Sequence, residues 1–80
     1  MGIYEVTKNR ILQLLETKGL TIHKLAITSA VPPSTIKNIL YGKSINPGIV
    51  TIKMLCDGLG ITLLEFIDCP EFANLDQEIK

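Results

Sequence analysis

Residues 20–47 read LTIHKLAITSAVPPSTIKNILYGKSINP, and the order of apolar positions and breakers in this stretch decides the fold. Thr21 is placed as an N-cap, because a hydroxyl there accepts a hydrogen bond from a backbone N–H of the first turn. Ile22, Leu25 and Ala26 follow at helical spacing and predict a helix to about Ser29. That helix must stop near Ala30, since residues before proline are pushed out of the helical region. Pro33 then suits the first turn of a new helix, where its missing N–H breaks no hydrogen bond. Ile36, Ile39 and Leu40 turn inward, and Gly42 ends the helix. The segment SINPG that follows is a loop by its Asn-Pro-Gly content.

The flanks carry the same periodicity. Val6, Ile11, Leu14 and Leu15 predict a first helix from about Ile3 to Lys18, with Gly19 as its left-handed cap. A fourth helix, roughly Ile49 to Leu59, places Ile52, Leu55, Cys56 and Leu59 on one face, and Gly60 ends it. Thr62 followed by Glu65 is a capping box that opens a fifth helix through Ile67. Asp68, Pro70 and Glu71 repeat a helix-start signal, after which Phe72, Leu75 and Ile79 would line one face of a short sixth helix. The expectation is an all-α, compact five-helix domain over residues 1–68. Residues 69–80 form an acidic tail or short C-terminal helix.

With 80 residues and 46% hydrophobic content, the chain can build one modest core. Domains this small bury only about 60% of their unfolded surface. Cys56 and Cys69 lack metal-ligand spacing and are too few for a disulfide scaffold, so they read as reduced thiols of a cytoplasmic protein. Cys56 belongs to an apolar surrounding, and Cys69 beside Pro70 is the more exposed. Glu5 and Lys8 interrupt the N-terminus before a secretory apolar run can develop. Val6 stands where a myristoylation motif needs Ser or Thr. The longest charge-free run, Leu25 to Ile36, holds two prolines and is far short of the roughly 20 residues that span a membrane.

Net charge is zero, but it is unevenly distributed. Residues 1–56 carry seven basic side chains (Lys8, Arg10, Lys18, Lys24, Lys37, Lys43 and Lys53) against Glu5 and Glu16, a net of +5. Residues 57–80 carry Asp57, Glu65, Asp68, Glu71, Asp76 and Glu78 against Lys80, a net of −5. A basic face on a neutral molecule fits this division, and so does ordinary solvated charge. Paired carboxylates, metal clusters, a nucleophile with its base and a phosphate-cradling Gly-rich loop are all missing from the pattern. A single histidine is thin material for catalysis, so the expectation is a non-enzyme with no cofactor, no metal and no small-molecule substrate. A membrane-surface role lacks a basic amphipathic helix.

Two helices joined by a tight turn, the second short and polar outside, form a helix-turn-helix. The second helix enters the major groove and presents polar side chains to base edges, while flanking groups grip phosphates. From Leu20 to Phe66 the sequence resembles the Cro/lambda-repressor (XRE) family. Leu20, Thr21, Leu25, Ala26, Val31, Ser34, Thr35, Ile36, Ile39, Gly42, Pro47, Thr51, Leu59, Gly60, Leu63 and Phe66 fall on its pattern without a gap. The resemblance covers about residues 9–67.

The resemblance implies that Pro33, Ser34 and Asn38, with Lys37 beside them, face bases. Asn38 can pair bidentately with an adenine edge, and Ser34 can donate or accept. Pro33 offers only an apolar surface suited to a thymine methyl, and Lys37 reaches guanine or a phosphate. Phosphate contacts map onto Thr21, Tyr41 and the loop residues Lys43, Ser44 and Asn46, whose side chains and backbone N–H groups are available there. Tyr41 fits core-edge packing as readily, and His23 reads as solvated surface, with a phosphate contact as its second reading.

Four departures stand out. Ile22 replaces a Gln that braces against DNA, Pro32 replaces a Ser/Thr cap, and Ala30 replaces a turn glycine. Leu15 and Leu40 replace an Arg–Glu pair that many family members hold between helices one and three. Replacing both halves of a buried pair with apolar residues is often neutral or stabilising. The implied function is a sequence-specific regulator of bacterial or phage origin, a repressor acting on double-stranded DNA as a homodimer. Ile49, Phe66, Phe72, Leu75 and Ile79 are the exposed apolar candidates for its dimer interface. An alternative on the same fold is a protein-interaction module, antitoxin-like or accessory, with weak or no DNA binding.

Overall fold

The computed structural model describes residues 1–79; Lys80, the last residue of the acidic tail, lies outside the described residues. Six helices follow one another: α1 (Ile3–Lys18), α2 (Ile22–Ser29), α3 (Pro33–Leu40), α4 (Ile49–Leu59), α5 (Leu63–Ile67) and α6 (Pro70–Ala73). The first five match the boundaries that the breakers dictate. Thr21 Oγ1 accepts from Lys24 N at 3.1 Å as the α2 cap. Thr62 and Glu65 close a reciprocal capping box at 3.0 and 2.9 Å. The backbone N–H and hydroxyl of Thr62 hold the Glu65 carboxyl below its ordinary pKa.

One core joins these elements: Ile11, Leu14 and Leu15 of α1, Leu25 and Ala26 of α2, Ile36, Ile39 and Leu40 of α3, and Ile52, Leu55, Cys56 and Leu59 of α4. Leu15 and Leu40 are each 7% exposed within it, so apolar carbon occupies the positions where the resemblance implies an ion pair. Cys56 is fully buried, and that burial raises its thiol pKa. The most extensive helix packing is between α2 and α4. It depends on Gly58, because a Cβ there would lie 2.6 Å from Ser29 Cβ and 2.8 Å from Ser29 Cα. The two backbones approach too closely for any side chain at that point.

The turn between α2 and α3 is unusual. Ala30 adopts φ 59°, the left-handed region that normally selects glycine. Buried Ser29 braces it: its hydroxyl donates to Leu25 O at 2.6 Å and accepts from Val31 N at 3.2 Å. The α3 cap position, Pro32, supplies no side-chain bond, as its residue type requires.

Two expectations are corrected. Phe66 is 1% exposed and belongs to the core, where its ring lies 6.0 Å from that of Phe72. It is therefore not a surface available to a second chain. The sixth helix ends at Ala73, so Phe72, Leu75 and Ile79 do not share a helical face. The chain after Asn74 instead pairs with the N-terminus. Asp76 N donates to Met1 O at 3.1 Å, the Met1 ammonium lies 3.0 Å from the Asp76 carboxylate, and Ile3 N donates to Glu78 Oε2 at 3.3 Å.

Candidate nucleic-acid interface

The helix α3 shows its core to one side and Pro33, Ser34, Lys37 and Asn38 to solvent. These four are the residues proposed from the sequence to face bases, and the fold brings them onto one exposed surface. Amides at helix N-termini usually attract anions, but here the supply is small. Pro33 has no N–H, and the amides of Thr35 and Ile36 both return to Pro32 O, at 3.0 and 3.2 Å. Any anion affinity at this helix start rests on the Ser34 N–H.

The other end of α3 is fixed by contacts that sequence spacing does not reveal. The Tyr4 hydroxyl donates to Ile39 O at 2.7 Å, tying α1 to the last turn of the helix. Tyr41 N donates to Lys37 O at 2.8 Å and Ser44 N to Asn38 O at 2.9 Å. Between them Gly42 takes φ 82°. The loop therefore folds back directly beneath Asn38. It presents the exposed side chains of Lys43 and Asn46, with Ser44 half-buried. The Ser44 backbone N–H, expected to be available to a phosphate, is committed to Asn38 O; only its side chain is left for such a contact. Tyr41 is 69% exposed, which removes the core-edge reading of that residue. Thr21 is exposed at the start of α2; its oxygen caps the helix while its proton is free to point outward. Ile22 is half-buried against the core, so it has no bracing role to play at the surface.

Charge placement sharpens the basic surface. Arg10 does not belong to it: its guanidinium donates to Phe66 O at 2.7 Å, Glu65 O at 2.8 Å and Gln13 Oε1 at 2.8 Å. There it satisfies carbonyls at the end of α5. Lys53 pairs with Asp57 along α4, and Lys8 sits 6.0 Å from the centre of the Tyr4 ring. Lys18, Lys24, Lys37 and Lys43 have no carboxylate partner within ion-pair distance among the described residues.

Two concavities open on the molecule, one beside the start of α3 and one among α1, the loop after α3, α4, α5 and α6. A shallow one of about 350 Å³ is lined by His23, Ala26, Ile27, Ala30, Val31, Pro32 and Pro33, alongside the start of α3. A second, of about 240 Å³, is apolar and bounded by Ile3, Ile45, Pro47, Ile49, Ile67 and Phe72. Of the residues expected at a dimer interface, Ile49, Phe72 and, at its buried floor, Phe66 line this groove. Leu75 is half-buried on the neighbouring surface, and Ile79 is 80% exposed. Ile3, Ile45 and Ile67, not expected from the sequence, are exposed at the groove.

The arrangement is that of a helix-turn-helix DNA-binding domain, with α2 and α3 as its two helices. A family model described as the Cro/C1-type HTH DNA-binding domain matches residues 10–71, and the chain belongs to that family. Among solved structures, the crystal structure of the prophage Lp1 protein 11 is similar, with a TM-score of 0.79 at 29% identity. The match covers 94% of this chain and 100% of that one. Comparison with curated proteins gives no match. Among the described residues, no helix is long and apolar enough to cross a membrane, and no group of three His, Cys, Asp or Glu side chains is placed to hold a metal ion.

Proposed function

We propose that this chain is a sequence-specific transcriptional regulator, a repressor that binds double-stranded DNA as a homodimer in the cytoplasm. The observation that carries this reading is the outer face of α3. Ser34, Lys37 and Asn38 share it, and hydrogen bonds from Tyr4 and Ser44 fix its far end. Ser34 and Asn38 read base edges, with Pro33 against a thymine methyl. Lys37 reaches a guanine or a phosphate. Thr21, Tyr41, Lys43, Asn46 and the Ser44 side chain contact phosphates and set the register. Prophage origin of the similar structure favours a phage or prophage regulator. No catalytic role and no cofactor are assigned.

Dimerisation follows from the reading problem. One short helix reads only a few base pairs, and a two-fold pair doubles the site. The second copy meets the groove bounded by Ile49 and Phe72, with Leu75 and Ile79 beside it. Selection of bound duplexes from a random pool tests the proposal. The expected outcome is a two-fold-symmetric site whose half-site centres lie about 34–36 Å apart. Its affinity should fall steeply with added salt as condensed counterions are released. Failure to bind any duplex at low salt, together with stable association with another protein, would replace the proposal with the interaction-module reading.

A further inference from the structure

The entry to α3 ahead of Ser34 differs from the rest of its outer face in having almost nothing to offer a polar base edge. Pro32 and Pro33 have no N–H, and the Pro32 carbonyl already accepts from Thr35 and Ile36. The adjoining concavity is lined by carbon from Ala26, Ile27, Ala30 and Val31, with His23 as its one polar residue. Ile27 is 62% exposed there, although an isoleucine at the surface gains nothing from water.

Within the major groove, one group among the four bases matches such a surface: the C5-methyl of thymine. A cytosine amino group or a purine edge pressed against it would lose water without gaining a partner. We infer that Pro32 and Pro33, backed by Ala30 and Ile27, form a methyl reader. It seats the C5-methyl of a pyrimidine, accepting thymine or 5-methylcytosine and disfavouring uracil or unmodified cytosine. This rests on the DNA-binding reading above and adds to it that affinity depends on a single methyl in each half-site. It also makes binding responsive to cytosine methylation at that position.

The test uses the duplex recovered by selection, with each thymine replaced in turn by uracil, which removes only the methyl. Burial of one methyl corresponds to roughly a fourfold change in affinity. One thymine per half-site should show that loss. Placing C·G at the same pair should bind more weakly than 5-methylcytosine·G by a similar factor. Pro33→Ser, checked for retained helicity by circular dichroism, should erase the difference between thymine and uracil probes. A selected site with no thymine dependence, or a difference that survives Pro33→Ser, overturns the methyl reader while leaving DNA binding intact. Absence of any selected duplex overturns both.

Discussion

At the scale of single residues, the least comfortable position is Ala30. A left-handed conformation costs an L-residue about 1–2 kcal/mol, and glycine avoids that at the expense of greater freedom in the unfolded chain. Ala30→Gly should therefore stabilise the domain by about 0.5–1 kcal/mol, read as a higher denaturation midpoint. An unchanged or lower midpoint would show that the Ser29 bridges, and not the backbone angle, dominate the turn. Leu15 and Leu40 are the converse case, two apolar residues where the family often has opposite charges. Leu15→Arg should destabilise by about 3–5 kcal/mol, the usual penalty of an unpaired buried charge. Adding Leu40→Glu should recover part of that loss. Denaturation midpoints with no coupling between the two changes would refute the pairing. The sequence was legible here because glycine, proline and capping residues act locally. Phe66 was not legible, since Leu63, Leu64, Phe66 and Ile67 are all apolar and only the position of α4 decides which of them is buried.

At the scale of elements, α3 is a short helix whose usefulness depends on how firmly it is held. Its start is defined by two prolines that can be read from sequence. Its end is held by Tyr4, thirty-five positions away, through a contact no local pattern announces. Tyr4→Phe removes that donor with little change in shape. Stability should fall by about 1 kcal/mol, and affinity for all duplexes should fall together, as seen by thermal melting and titration. Loss on one sequence only would place Tyr4 in base reading instead. The loop after Gly42 behaves differently. Lys43→Ala should weaken cognate and random duplexes alike and reduce the salt slope by about one. An unchanged slope would remove Lys43 from the phosphate contacts. The truncated sixth helix has a related cause: Asp76 and Glu78 find partners at Met1 and Ile3, and pairing between chain ends is invisible to helical periodicity.

At the scale of the whole molecule, a neutral composition conceals a division of labour. Lys18, Lys24, Lys37 and Lys43, which have no carboxylate partner among the described residues, lie in the helix-turn-helix half or beside it, while six of the eight acidic residues fall from Asp57 onward. The charge counts suggested this division, but they overcounted, because Arg10 holds α5 in place. The fold's skeleton was therefore more legible than its functional surface. Apolar spacing and breakers specify where helices begin and end, whereas side-chain availability depends on long-range partners. Asn38→Ala decides whether α3 reads bases through its outer face. Affinities of wild type and variant are measured by titration on the selected duplex and on a random one at the same salt. Base reading by Asn38 predicts a loss of about 1–3 kcal/mol on the selected duplex and little change on the random one. Equal losses on both would contradict it.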